Sequence, residues 1–231
     1  INTGNLILCT GAYDRALPFP GWDIPGVMTP GGVQSLLKGH GVLAGKKVVV
    51  AGSGPFLLPV AAGVIKAGGE VVELLEANKS YRWLLSPFVL LENVGKVKEA
   101  FYYIKTISEA KLRARFGQAV VAAHKGSDGS LESVDVATIG RKFKVKKIRN
   151  VKCNIAAVGW GFTADTSLAG ALGCKQSVAK DDGVVVVADQ DQQSSIPGIF
   201  VAGEITGIGG SELSMAEGVI ELDGNGYDDA T

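Results

Sequence analysis

Two glycines one residue apart, Gly52 and Gly54, stand between a β-branched run and a stretch of small apolar residues. A phosphate needs backbone N–H donors and room to reach them. Gly52 allows a tight turn after residues 48–51, Ser53 fills the position between, and Gly54 has no side chain to hold a pyrophosphate away. Pro55, Phe56 and Leu57 follow. A helix beginning near Phe56 would turn its first N–H groups and positive dipole end toward the phosphates. Glu76 ends the next apolar run, 24 residues after Gly52. A carboxylate there accepts a bond from a ribose 2′-hydroxyl and repels a 2′-phosphate, so the pattern predicts NAD over NADP. Glu73 is the rival acid but lies earlier, inside the strand. Leu57 stands where a full G-x-G-x-x-G has its third glycine, so the helix is expected to pack further from its strand. The same residues also suit a glycine turn that joins buried elements without a ligand. The turn by itself does not separate NAD from ADP or ATP.

These residues need a strand, turn, helix and strand around them, and the periodicity supplies that frame. Residues 48–51 and 71–75 read as buried strands, and 56–67 as a helix stopped by Gly68 and Gly69. The unit has the roughly thirty-residue length of a βαβ crossover. Upstream, residues 5–9 read as a strand, 14–28 as an extended crossover rich in proline and glycine, and 30–37 as a short helix. Downstream, 81–92 and 96–116 read as helices, the second with Phe101, Ile104, Ile107 and Leu112 as its apolar stripe. Residues 118–124 and 131–138 form a hairpin about a turn at 127–130. Further strands are expected at 143–148, 154–158, 184–187 and 199–202, and a helix at 215–222. The fold class is therefore α/β: a Rossmann-like, three-layer NAD-binding domain over residues 41–149, carrying a β-hairpin insertion.

Composition narrows the function further. The 231 residues are 46% hydrophobic and 20% charged with a formal net charge of zero, so nothing steers the chain toward nucleic acid or an anionic membrane. Residues 48–65 carry no charge, but two prolines and three glycines interrupt them, and a buried strand, turn and helix explain them better than a membrane span. Cys9, Cys153 and Cys174 are sparse and odd in number, which reads as reduced thiols of a cytoplasmic protein. No C-x-x-C exists, so neither a dithiol redox centre nor a cysteine metal site is expected. Asp181-Asp182 and Asp189–Asp191 lack the ligand order of a calcium loop and read as turns. His40 and His124 lie in no catalytic motif, and the alternating basic run 141–147 reads as a solvated strand face. Trp160 is expected either to stack on a ligand or to pack in a core. The polar tail 223–231 reads as frayed. The chain opens without Met, almost directly in a strand, which suggests further sequence upstream.

Several segments together resemble the pyridine nucleotide–disulfide oxidoreductase superfamily. Leu6–Ala12 (LILCTGA) resembles its strand leading to A-T-G, and Ile196–Glu204 (IPGIFVAGE) its C-terminal flavin motif. The Gly52 unit lies between them, where that superfamily inserts its NAD domain into its FAD domain, so the resemblance implies a partial FAD-binding domain of residues 1–40 and 150–231 around the NAD-binding domain of residues 41–149. Gly11–Arg15, Leu17–Val27, Gly54–Ala61 and Val158–Phe162 are similar to flavoprotein subunits of opine, octopine or nopaline oxidases, of hydrogen cyanide synthase and of amine or proline dehydrogenases. The resemblance implies NAD at the Gly52 turn, with Gly159 near its nicotinamide end. It also implies FAD contacts from Thr10, Gly11, Gly203 and Glu204. The family's N-terminal FAD-binding glycine motif is not in these residues, so the flavin site is expected to be a half-site, completed by a second subunit or a homodimer partner. The implied activity is hydride transfer from an amine or imino acid through the flavin. The alternatives are a non-catalytic adenine-dinucleotide-binding module and a scaffold without nucleotide. The absence of a thiol pair excludes disulfide reduction, and no residue stands out as a catalytic acid or base.

Overall fold

The computed structural model describes residues 3–79, 94–140, 144–179 and 183–224. The chain divides into two compact units, one of residues 14–161 and one of residues 1–13 with 162–231.

The larger unit is built on a parallel sheet. Its strands are β3 (Val27–Met28), β4 (Lys47–Gly52), β5 (Glu70–Glu76), β6 (Ala114–Phe116) and β10 (Ile155–Gly159), in the order β3-β10-β4-β5-β6. Strand residues alternate in direction, and here both sets are apolar, so both faces are buried. Val48, Val50, Leu74, Ile155 and Ala157 pack against α1 (Pro30–His40), α2 (Leu57–Lys66) and α3 (Val94–Glu109) through Val33, Val60, Val64 and Ile107. Val49, Ala51, Leu75, Ala156 and Val158 face the other way, onto an antiparallel sheet of β7 (Gln118–Lys125), β8 (Leu131–Ile139) and β9 (Val145–Lys152). The three layers are thus helices, parallel sheet and antiparallel sheet.

Several sequence expectations change here. The compact units divide at 13/14 and 161/162, where the expected domain limits are 40 and 150. The reason is β10, which sits between β3 and β4 in the sheet and brings residues 14–40 and 150–161 into the larger unit. The helix expected over 96–116 ends at Glu109. Lys111 adopts a left-handed backbone (φ 55°), and residues 114–116 then pair with β5. Of the stripe expected on that helix, Ile107 is buried while Phe101 and Ile104 are exposed. The helix expected over 30–37 runs on to His40 and is capped by Gly41. The expected hairpin becomes three-stranded through β9. The helix expected over 81–92, the start of the basic run at 141–143, Asp181, Asp182 and most of the polar tail lie outside the described residues.

Glu73, the rival acid, is used inside the fold. Its carboxylate accepts bonds from Arg149 Nη1 at 2.7 Å and Arg115 Nε at 2.9 Å, and Arg149 Nη2 donates to Gln118 at 3.0 Å. It thereby ties β5 to β6 and to the antiparallel sheet.

Cys153 lies in the apolar layer between the two sheets, and burial pushes its thiol up to about 12. A raised thiol is unreactive below its pKa, because the thiolate is the nucleophile. At about pH 8 the thiolate fraction is on the order of one in ten thousand. Iodoacetamide is therefore expected to label exposed Cys9 and spare Cys153 in the folded protein, as peptide mass mapping would report. Labelling of Cys153 without denaturant would mean that the two sheets separate readily.

The smaller unit contains the parallel pair β1 (Leu6–Leu8) and β14 (Ile199–Val201), the hairpin β12 (Gln176–Val178) and β13 (Val184–Val186), the short helix α4 (Ser167–Ala171), and α5 (Ser211–Gly224). Strand β11 (Phe162–Ala164) pairs with β2 (Ala12–Asp14). Its core is Leu8, Ala169, Cys174, Val186, Val201 and Ile205.

Candidate functional site

The glycine turn lies where the sheet order reverses. From β4 the chain passes through α2 to β5 on one side, while β10 flanks β4 on the other. Such a switch point leaves a crevice outside the carboxyl ends of the strands, where open α/β sheets bind ligands. Gly52 and Gly159 are register partners at the ends of these two strands. They are glycines for a steric reason. A Cβ on Gly52 would stand 1.6 Å from the Gly159 carbonyl oxygen, at a φ of +140°. A Cβ on Gly159 would meet the Pro30 ring at 2.7 Å. The close approach lets Ser53 N–H donate to the Gly159 carbonyl at 3.0 Å. Gly54 differs. Its φ is +108°, and a Cβ there would find no atom within 4 Å. The space beside Gly54 is open.

The donors expected around that space are fewer than the motif suggests. Gly54 N–H is taken by Glu76 Oε2 at 2.9 Å. Pro55 and Pro59 have no N–H. Leu57 and Leu58 N–H turn back to the Gly54 and Pro55 carbonyls at 3.4 and 3.1 Å. Helix α2 therefore offers its dipole more than a row of open donors. Its cap Phe56 makes no side-chain capping bond, and Leu57, in the third-glycine place, is buried against the sheet.

Glu76 is the most elaborately held group of the site. It is only 4% exposed. Oε1 accepts from Asn78 N–H and Asn78 Nδ2, both at 2.9 Å, and Asn78 Nδ2 also donates to Ser53 Oγ at 2.6 Å. The structure thus brings Ser53, Gly54 and Glu76 together through Asn78, a residue that sequence reasoning does not single out. Its signal is faint: an Asn two residues past a strand reads as an ordinary turn residue. Beside Gly54 and Glu76 opens a cavity of about 320 Å³ walled by Leu57, Leu58, Leu74 and Phe116, at the small end of the size range of ligand pockets.

Gly159 lies at the switch point with Gly52, and Trp160 is half-buried, its N–H on the Arg15 carbonyl at 3.0 Å. Two side chains reinforce the start of α1 nearby. Asp14 Oδ2 accepts from Gly31 N–H at 2.9 Å, and Thr29 Oγ1 from Gly32 N–H at 3.1 Å. His124 pairs with Asp135 at 2.8 Å on the antiparallel sheet.

The other expected site residues belong to the smaller unit. Thr10-Gly11 and Gly203-Glu204 follow the carboxyl ends of the neighbouring strands β1 and β14. Thr10 Oγ1 donates to the Asp165 carbonyl, and Gly203 N–H to Glu217 Oε2 at 2.7 Å. Thr206 Oγ1 donates to the same Glu217 carboxylate at 3.0–3.1 Å, so α5 holds this turn. Glu204 is half-buried.

With this geometry in view, similarity to known proteins defines the class. The chain belongs to the pyridine nucleotide-disulphide oxidoreductase family, whose model matches residues 1–222. That family implies FAD and NAD(P) binding in general. The chain is 33% identical over 222 residues to the HcnB subunit of hydrogen cyanide synthase from Pseudomonas aeruginosa, covering 95% of this chain and 47% of the relative. To an opine oxidase subunit from Agrobacterium tumefaciens it is 28% identical over 229 residues, covering 94% and 42%. It therefore spans about half the length of the curated relatives it matches. In fold it is similar to the thioredoxin reductase of T. acidophilum, with a TM-score of 0.65 at 17% identity over 96% of this chain and 64% of that one. It is likewise similar to a ferredoxin reductase from Rhodopseudomonas palustris, with a TM-score of 0.66 at 19% identity over 100% and 54%. These likenesses make it a nucleotide-binding domain of a redox family with the Rossmann-like α/β architecture. Among the described residues no helix is long and apolar enough to cross a membrane.

Proposed function

We propose that this chain is the nucleotide-binding part of an FAD- and NAD-dependent oxidoreductase acting on an amine or imino acid. The observation that carries the reading is Glu76, a buried carboxylate fixed at the switch point beside an open glycine turn. It suits an adenosine ribose: Oε2 keeps an acceptor position for a hydroxyl, and the apolar cavity next to it suits a purine. Ser53, Gly54 and the start of α2 would face the pyrophosphate, and Gly159 the nicotinamide end. NAD fits better than NADP, because a 2′-phosphate would stand against the Glu76 carboxylate.

Flavin is the second cofactor of the proposal, and when bound it supplies the hydride acceptor. Thr10, Gly11, Gly203 and Glu204 would hold it from the carboxyl ends of β1 and β14. A parallel sheet is normally covered on both faces and has more than two strands. Here β1 pairs with β14, while Ile7, Leu213, Met215, Val219 and Ile220 are exposed. These apolar residues and the greater length of the relatives support completion of the flavin site by polypeptide outside the 231 residues, adjoining or in a second subunit, in the cytoplasm. Opine oxidase and hydrogen cyanide synthase are named by subunit, which favours the second source.

A second reading is a non-catalytic adenine-nucleotide-binding module. It is favoured by the contrast between the fully layered larger unit and the slight core of the smaller one. Denaturing the purified protein and identifying released small molecules by mass spectrometry separates the two. FAD together with an adenine dinucleotide supports the oxidoreductase. A nucleotide without flavin, even after co-expression with a candidate partner, supports the module. No release, and no saturable NAD binding on titration, sinks both.

A further inference from the structure

Asn78 touches both working parts of the nucleotide site. Its side-chain Nδ2 donates to Ser53 Oγ at 2.6 Å in the glycine turn and to Glu76 Oε1 at 2.9 Å at the end of β5. Its own N–H donates to the same Oε1 at 2.9 Å. Its carbonyl accepts from Gly117 N–H at 3.0 Å, just past β6, and Ala77 N–H reaches the Gly52 carbonyl at 2.8 Å. The backbone of Asn78 is therefore anchored on both sides. The chemistry of its partner fixes the orientation of its amide: an ionised carboxylate only accepts, so the amide nitrogen must face Glu76.

A carboxylate has about four acceptor positions on its two oxygens. Two on Oε1 are filled by Asn78, and one on Oε2 by Gly54 N–H. Among the described residues, one position on Oε2 remains. We infer that Asn78 is a specificity-determining positioning residue. It saturates Oε1 and pins the Glu76 carboxylate, so that Oε2 offers one fixed acceptor to a ribose hydroxyl of an adenine nucleotide and keeps its charge where a 2′-phosphate would lie. The inference rests on the nucleotide reading above. Without the amide, one position on Oε1 opens and the carboxylate turns about its last torsion. The ribose hydroxyl then loses its aligned acceptor, and a phosphate no longer meets a fixed charge.

The test is equilibrium dialysis of the full chain against NAD and, separately, NADP. Asn78→Ala is expected to weaken NAD binding about tenfold and to leave NADP within about twofold, so the preference narrows roughly tenfold. Ser53→Ala removes the other acceptor of the same amide and is expected to leave the NAD/NADP ratio unchanged, since Glu76 stays pinned. A merely structural role for Asn78 would weaken both nucleotides together. An unchanged ratio in a folded Asn78→Ala protein overturns the inference. If that variant does not fold, Asn78→Leu, of similar shape and without side-chain donors, carries the same test. Failure of the unaltered chain to bind either nucleotide removes the nucleotide reading itself, and this inference with it.

Discussion

Gly52→Ala is expected to cost the fold about 4 kcal/mol or more, among the large values for a single substitution. Gly54→Ala, two residues away in the same turn, is expected to cost about 1–2 kcal/mol. Both residues have positive φ, +140° and +108°, so both substitutions carry backbone strain. The difference lies in what surrounds the added carbon. At Gly52 the new Cβ would stand 1.6 Å from the Gly159 carbonyl oxygen, a backbone atom at the end of the paired strand β10. No side chain can swing away to make room, so β4 and β10 must part. That separation breaks the Ser53 N–H bond to Gly159 and opens both core layers that meet at these strands. At Gly54 the carbon enters open space, and the loss falls on ligand contact instead. Thermal melts followed by circular dichroism should show Gly52→Ala lowered by on the order of 10 °C or more, or not folded at all. Gly54→Ala should shift by a few degrees, with NAD affinity down at least tenfold. Equal destabilisation of the two variants would refute the assignment of Gly52 to strand contact and Gly54 to ligand approach.

The parts of this architecture that depend on local pattern were legible in the sequence. Residues 48–51 are apolar without alternation, and the fold uses both parities, Val48 and Val50 toward the helices, Val49 and Ala51 toward the antiparallel sheet. A run of that kind announces a strand buried on both faces. The glycine turn and its acid were legible for the same reason, since strand, turn, helix and strand are consecutive. Parts set by distant pairing were not. Strand β6 consists of Ala114, Arg115 and Phe116, all exposed, and no apolar run marks it; its strand character comes from pairing with β5. Strand β3 has two residues and finds its partner in β10, far along the chain, so residues 14–28 read as an extended crossover outside the domain although they belong to the larger unit. The apolar spacing of α3 suggested a buried stripe, yet burial depends on what packs there, and Phe101 and Ile104 are exposed. The pattern placed Glu76 at the end of its strand but did not show the donors that hold it. It also suggested a row of phosphate donors that Glu76, Gly159 and two prolines largely remove.

That shortage of donors shifts the expected burden of binding from the pyrophosphate to the ribose, and so to Glu76. Replacing Glu76 with Gln keeps the shape and removes the charge. The amide can still accept from Gly54 or from Asn78, but its NH₂ then faces the donor it no longer accepts from. A hydrogen bond to a charged group is worth about 1.5–3 kcal/mol, so losing charge and alignment together is expected to raise the NAD Kd by roughly ten- to hundredfold. NADP moves the other way. A 2′-phosphate a few ångströms from a carboxylate is opposed by several kcal/mol at an effective dielectric near 20, and Gln removes that opposition. The NAD preference is therefore expected to shrink by a factor of roughly a thousand or more in Glu76→Gln. Glu76→Ala adds a fold penalty, since Gly54 N–H and Asn78 N–H lose their acceptor in a site that is 4% exposed; each such group costs about 1–3 kcal/mol unless water replaces the carboxylate. Isothermal titration with both dinucleotides, read beside denaturant melts, separates these effects. If Glu76→Gln binds NAD as tightly as the unaltered chain, the carboxylate serves only to brace the glycine turn, and the acid that the sequence points to would be a structural group in a Rossmann unit that reads no ribose.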